Sequence, residues 1–306
     1  MVDPAYGRSL PDGKFEGAAH LHYAFGKRFN GSKNVQEGKY RVLYERRGCK
    51  GLLLKEGALI REINRSYYHA DHYEYPVCLW ERSNGQVCVI HCPESYDRLE
   101  IEDFETGERL SHHPERDPSD IFHSHLEVSA DGRYLLNGAW VWHPWCIQQV
   151  YDLEACVADP LLLDGEGCGP QTDSDIASVC FFGESRLMVI SSFEDVDEEE
   201  DAFDFPPRHA GIFQLPENRL LWKQGLKTPL ELVPINEHFA WSLYGHVGLY
   251  DLKAGKLLEH VPDLLSPWST GPFGEVKPGQ SAAMSKDRTI LALASDMQLD
   301  IITASV

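Results

Sequence analysis

Three stretches of this chain bring together side chains able to do chemistry. In Ser66-Tyr67-Tyr68-His69-Ala70-Asp71-His72-Tyr73-Glu74-Tyr75, two histidines bracket an aspartate. Imidazole with carboxylate suits a transition metal. The four tyrosines of the same stretch point instead to a recognition loop, because tyrosine offers a large contact area with a polar tip, or to ordinary packing. Tyr67 and Tyr68 are the candidate partner-binding residues here. Cys88, His91 and Cys92, followed by His112 and His113, are zinc-ligand types. Their spacing does not serve zinc: in an alternating strand Cys88 and Cys92 share one face and His91 takes the other. We expect no bound metal and no cofactor. His123 and His125 flank Ser124 ahead of a turn, where a structural hydrogen bond is a better reading than catalysis. The Gly-x-Ser-x-Gly elbow, the Walker loop and the Rossmann fingerprint are absent. Gly165-Glu166-Gly167-Cys168-Gly169 has the glycines but no helix pattern after them. We therefore expect no enzyme activity.

The charge is more informative than the histidines. The chain has 306 residues and a formal net charge of −20. Residues 1–65 hold 13 Lys and Arg against 7 Asp and Glu, whereas residues 151–204 hold 16 Asp and Glu against Arg186 alone. The peak is Glu194-Asp195-Val196-Asp197-Glu198-Glu199-Glu200-Asp201-Ala202-Phe203-Asp204. A run of this kind is ordinarily a solvating loop. Phe203 and Phe205 in its tail, stiffened by Pro206-Pro207, favour a docking surface, since carboxylates around aromatic anchors suit an interface. The candidate partner-binding residues are therefore Glu194, Asp195, Asp197, Glu198, Glu199, Glu200, Asp201, Phe203, Asp204 and Phe205, with Tyr67, Tyr68 and Trp145. Trp140 and Trp142 are expected to pack between sheets, and Trp145, after Pro144, to be exposed. Such a charge repels nucleic acid and attracts a basic protein.

These residues need elements to hold them. Polar turns between strand-like runs recur at Arg46–Cys49, Ser83–Gln86, Ala130–Arg133, Gly183–Ser185, Ile235–His238 and Lys286–Arg288, roughly every 48 residues. Asp-Gly and Asn-Gly supply the positive φ of tight hairpins. Arg133 to His143 shows strand chemistry, with Tyr134, Leu136, Trp140 and Trp142 on one parity. A second apolar run follows four of these turns, ending at Glu102–Gly107, Val150–Leu153, Ile212–Leu215 and Leu249–Gly255. No stretch shows a long 3.6-residue period, so the fold class is all-β. A sheet repeated in this way buries both faces by packing around an axis. The alternatives are a β-sandwich or two smaller β domains.

Tyr151-Asp152-Leu153 and Tyr250-Asp251-Leu252, the latter followed by Lys253-Ala254-Gly255-Lys256, resemble the strand end of a WD40-like blade. The Gly-His pair of that family is not found at a consistent position. The resemblance covers most of the chain and implies a β-propeller over residues 1–306. Six blades fit best, with seven as the alternative. The last unit is short, with strands at Ala282–Met284, Ile290–Ala294 and Leu299–Thr303, so an N-terminal strand near Ala19–Phe25 is expected to close the ring. Residues 194–207 then form an acidic insertion between two strands of one blade. His123 and His125 resemble the histidine that some propellers use to pin a blade.

Eight cysteines are scattered, several inside apolar runs, and are expected to be buried free thiols. No apolar segment is long enough to span a membrane. The N-terminus lacks a signal-peptide pattern, so a cytoplasmic protein is expected. The chain also resembles, loosely, the propeller proteins encoded beside bacterial toxins. That resemblance implies a non-catalytic immunity-type inhibitor that occludes a basic toxin such as a nuclease, as a monomer or in a 1:1 complex. A generic WD40-like scaffold and a propeller hydrolase or lactonase with an axial metal are the alternatives.

Overall fold

The computed structural model describes residues 29–142, 145–172, 174–193, 204–267, 270–271, 281–295 and 298–306. These form six small antiparallel sheets of three or four strands, each built from strands consecutive in sequence. The fold is all-β, as the turn spacing predicts. The longest α-helix among the described residues is α1 (Leu153–Ala158). No described helix is long and apolar enough to cross a membrane. The chain divides into two units, Met1–Ser119 with Glu154–Gly165, and Asp120–Leu153 with Glu166–Val306.

The first unit holds two sheets. One is β1 (Gly31–Val35), β2 (Tyr40–Tyr44), β3 (Lys50–Lys55) and β4 (Ala58–Asn64). The other is β5 (Val77–Glu81), β6 (Val87–His91) and β7 (Glu100–Asp103). Alternation sends Tyr40, Val42, Tyr44 and Leu53 to one face, against Val77, Leu79, Val89 and Phe104. Leu43, Leu52 and Leu54 go to the other face, with Phe29 and Leu59. The first sheet thus buries both faces, which is why β3 reads Lys-Gly-Leu-Leu-Leu-Lys rather than apolar-polar.

The second unit holds four sheets. They are β8 (Phe122–Val128), β9 (Tyr134–Val141) and β10 (Trp145–Asp152); β11 (Ile176–Phe182), β12 (Arg186–Ser191), β13 (His209–Gln214) and β14 (Arg219–Gly225); β15 (Leu232–Pro234), β16 (Phe239–Ser242), β17 (His246–Asp251) and β18 (Lys256–Leu265); and β19 (Ser281–Met284), β20 (Ile290–Ala294) and β21 (Leu299–Thr303). One core runs through the last three sheets, from Cys180, Met188 and Ile212 through Val233, Trp241 and Tyr250 to Leu291 and Leu293. The central strand β9 is buried on both faces, so Leu135 and Ala139 are buried beside Tyr134, Leu136 and Trp140, against the one-sided parity.

Five of the six predicted turns join the first and second strands of a sheet. Arg46–Cys49 does not: it joins the second and third strands of the first sheet. The equivalent turn there is residues 36–39, with Gln36, Glu37 and Gly38 at φ 51°, 56° and 89°. Successive turns of one sheet have similar composition, and composition alone does not rank them. Two turns share one bonding pattern. Ser129 Oγ accepts the Tyr134 N–H at 2.8 Å and Asp131 Oδ1 accepts the Arg133 N–H at 3.1 Å. Ser285 Oγ accepts the Ile290 N–H at 2.9 Å and Asp287 Oδ1 accepts the Thr289 N–H at 3.2 Å. Gly132, at φ 76°, is matched in the second turn by Arg288, at φ 60°. The expected strand Ala19–Phe25 lies outside the described residues.

Candidate protein-docking surface

The recognition segment Ser66–Tyr75 connects β4 to β5, and Arg65 holds it. The Arg65 guanidinium is buried and donates to four backbone carbonyls: Gly48 at 2.7 Å, Glu74 at 3.1 Å, Ala70 at 2.6 Å and Tyr73 at 3.0 Å. It also lies over the rings of Tyr73 and Tyr75, at 4.4 and 5.1 Å. Burying a cation is unfavourable unless its donors are satisfied, and this loop wraps around to satisfy them. Tyr73 and Tyr75 are consequently internal, whereas Tyr67 is 80% and Tyr68 47% exposed. Tyr68 packs against His69 and Tyr96, with ring centroids 4.5 and 5.2 Å apart. Tyrosine exposure on a fixed loop suits contact with another protein.

The acidic run connects β12 to β13, the second and third strands of their sheet. The base of this connection is tied. Ser191 Oγ donates to the Pro206 carbonyl at 2.8 Å and accepts the His209 N–H at 2.9 Å, and the Arg208 N–H donates to the Ser192 carbonyl. Glu194, Asp195, Asp197, Glu198, Glu199, Glu200, Asp201 and Phe203 lie outside the described residues, and Asp204 is exposed. Phe205 is not the exposed anchor that its acidic neighbours suggest: it is 1% exposed. Its ring sits 5.3 Å from Phe213, over Gly211, where a Cβ would approach to 2.6 Å. Glycine at 211 makes the room that buries Phe205.

The tryptophan assignments also change. Trp145 is half-buried, because it opens β10 and pairs with Val141. Trp142 lies just past the end of β9 and is 44% exposed, with Trp140 inside, stacked on Phe122 at 3.9 Å. Tyr244, in the three-residue connection between β16 and β17, is 60% exposed. It lies in the short Leu243-Tyr244-Gly245 connection, which gave no repeat signal.

The histidine clusters make hydrogen bonds and ring contacts. His72 is 3.7 Å from Asp71 and both are exposed. His91 Nε2 faces Glu102 at 3.3 Å, while burial pushes the Cys88 thiol up to about 12 and the Cys92 thiol well above its ordinary value. No group of three or more His, Cys, Asp or Glu side chains able to hold a metal occurs among the described residues. His123 Nδ1 bonds Asn137 at 2.8 Å, and Asn137 donates to Gln149 at 3.0 Å, a buried pin across β8, β9 and β10. All eight cysteines are free, seven buried and Cys168 half-buried.

Three arginines that sequence reasoning passed over organise the interior. Besides Arg65, Arg116 binds both oxygens of Asp164 at 2.8 and 2.7 Å and donates to the Ser111 and Leu99 carbonyls. In the second unit Arg288 donates to the Phe181 carbonyl at 2.6 Å, the Pro234 carbonyl at 3.3 Å and Glu127 at 3.2 Å. Those three partners belong to β11, β15 and β8, the first strands of three other sheets. Comparing the two Ser-x-Asp turns exposes Arg288, since it stands where its counterpart has glycine. A non-glycine residue at positive φ calls for a local reason, and these bonds supply it.

Two buried carboxylates behave in opposite ways. Glu102 meets Arg61 at 2.9 Å, His91 at 3.3 Å and Arg109 at 3.5 Å. Burial pushes its pKa up, but His91 and Arg61 outweigh it and bring the value to about 2. Among the described residues, Glu231 receives the backbone N–H and the hydroxyl of Thr270, the latter at 3.1 Å. Burial dominates there and raises it to about 7.

No protein-family model matches the chain, and no curated protein matches it. Solved structures do. One is a chain in the crystal structure of a mitotic checkpoint complex, with a TM-score of 0.52 and 12% identity over 88% of this chain and 74% of that one. The six small antiparallel sheets and this likeness are consistent with a β-propeller fold.

Proposed function

We propose that this chain is a non-catalytic, protein-binding propeller, and more particularly an immunity-type inhibitor that occludes a basic toxin such as a nuclease. The observation that carries the reading is the Arg65-anchored connection, which leaves Tyr67 and Tyr68 outside on a fixed frame. The concentration of 16 acidic residues against one arginine in residues 151–204 supports a basic partner. The mechanism is steric: carboxylates of the run Glu194–Asp204 stand in for a phosphate backbone, and exposed aromatics fill an apolar hollow. The complex is 1:1 and cytoplasmic.

The test is affinity capture of the partner from the cell of origin, followed by association kinetics. A single tight basic partner is expected. Changing Glu198, Glu199 and Glu200 to Gln and Asp201 to Asn then slows association about tenfold at low salt, with folding intact. An unchanged on-rate removes the acidic run from the interface. Several weaker partners favour the second reading, a general scaffold, which the likeness to a chain of a multi-protein complex supports. The hydrolase reading is weakened because Glu127, where first strands meet, is already paired with Arg288.

The same proposal takes the six sheets as six blades closed into a ring by the N-terminal strand Ala19–Phe25. Among the described residues β21 is the last strand of its sheet, and Leu299 and Ile301 on it are exposed, which supports this closure. Deleting residues 1–26 is expected to collapse the fold in a circular-dichroism melt. A truncation that melts like the parent removes the closure.

A further inference from the structure

We propose that Asn84-Gly85 is a self-modification site, at which the backbone nitrogen of Gly85 attacks the side-chain amide of Asn84 and expels ammonia. The reaction needs no partner and no enzyme, only water.

The dipeptide Asn-Gly occurs three times, at Asn30-Gly31, Asn84-Gly85 and Asn137-Gly138. In each, glycine has no side chain to shield its nitrogen. Their surroundings differ. Asn84 and Gly85 are both exposed, in the turn between β5 and β6. Asn84 Oδ1 accepts the Gln86 N–H at 2.9 Å, which folds the side chain back over its own turn. The same N–H donates to that oxygen as it gains negative charge in the tetrahedral intermediate. A Cβ built on Gly85 meets nothing within 4 Å, so the flank of the attacking residue is open. One bond opposes the reaction: the Gly85 N–H donates to the Arg82 carbonyl at 2.9 Å. The nitrogen loses its proton only when that bond opens, and hydrogen bonds in exposed turns open readily.

The other two sites are guarded. Asn137 is fully buried in β9. Its Nδ2 donates to Gln149 Oε1 at 3.0 Å and bonds His123 Nδ1 at 2.8 Å, while Gly138 is paired with Gln148 on β10 and His125 on β8. Its buried Oδ1 receives no donor among the described residues, so nothing there steadies an oxyanion. Asn30 is exposed, but its Oδ1 is tied to the Arg46 N–H at 2.8 Å. Gly31 beside it is buried, with a Cβ position 2.5 Å from the Tyr44 ring.

The step balances without oxidant or cofactor. The bond from Gly85 N to Asn84 Cγ forms, the Cγ–Nδ2 bond breaks, and Nδ2 leaves as ammonia with the proton lost by the Gly85 nitrogen. Water then opens the cyclic imide at either carbonyl and leaves an aspartyl or isoaspartyl residue at position 84. Either product adds a negative charge in the turn that follows Arg82, whose guanidinium already bonds Gln86 at 2.9 Å and Glu154 at 3.2 and 2.6 Å. The isoaspartyl form also adds a methylene to the main chain where β5 turns into β6.

The experiment incubates the full chain at neutral and mildly alkaline pH, native and in urea. Peptides are mapped by mass spectrometry and released ammonia is assayed alongside. In the native chain Asn84 is expected to convert at least about a hundredfold faster than Asn137, which must first be opened out of its sheet, with Asn30 between them. The Asn84 rate rises with pH, because the nitrogen attacks only after losing its proton, and the product contains isoaspartate. In urea the three rates converge. Asn84→Gly keeps a turn-compatible residue and is expected to remove the fast release of ammonia. Fast release that survives this substitution overturns the proposal, as does a native Asn84 that stays intact or converts no faster than the other two. An order of rates unchanged in urea also overturns it, since the fold then decides nothing. A product that is aspartate alone excludes attack by Gly85, because direct hydrolysis yields no isoaspartate.

Discussion

Glu102 in the first unit and Glu231 in the second are both buried, and both accept donors from their surroundings, yet one titrates near 2 and the other near 7. Burial acts on each in the same direction. What differs is the charge of the donors: two arginines and a histidine around Glu102, a neutral threonine against Glu231. Hydrogen bonds from neutral groups offset part of the desolvation of a carboxylate, and cations reverse its effect. The two carboxylates therefore make contributions to stability that depend on pH with opposite signs. Glu102, depressed in the folded state, contributes stability that is present above about pH 4.5 and is lost as pH falls toward 2. Glu231, raised in the folded state, holds a proton that the unfolded chain releases between about pH 4.5 and 7. Stability from this group accordingly falls as pH rises through that window.

The comparison breaks most readily at Arg61. Arg61→Ala leaves Glu102 buried with less compensation, and is expected to cost the first unit about 3 kcal/mol at neutral pH. Hydrogen exchange in β6 and β7 reads this, and unaltered protection there contradicts the pairing. A similar effect, of opposite sign, is expected from Glu231→Gln. The variant gains about 3 kcal/mol over the parent at about pH 8 and nothing below about pH 4.5, because glutamine never carries the buried charge. Denaturant melts across that range, followed by hydrogen exchange in β15, check it. Equal melts at both pH values place the charge of Glu231 in solvent.

How much of this was legible in the sequence depends on the kind of signal. Strand positions were readable because alternation and turn residues are local properties: β19, β20 and β21 fall within a residue of their expected bounds. The hydrogen bond of His123 was readable from its place before a turn. Burial of single aromatics was not. Phe205 follows eight carboxylates and looks exposed, but its fate is decided by Gly211 on the neighbouring strand. Trp142 and Trp145 exchange roles because β9 ends at Val141 and β10 begins at Trp145, a boundary that composition does not mark. The arginines Arg65 and Arg116 are recognisable only once the carbonyls they serve are brought together in space.

Arg288 has one more consequence, and it concerns time. Its guanidinium reaches Glu127 across 161 positions of sequence and needs the ends of β11 and β15 to be in place. Contacts of such separation form late, since the intervening chain must already be ordered to bring them within reach. The strands from β8 to β18 also leave the ribosome before residue 288 does. Arg288 thus ties the unit's last sheet to strands that precede it by as many as 161 positions, and a contact of that separation is expected among the late ones.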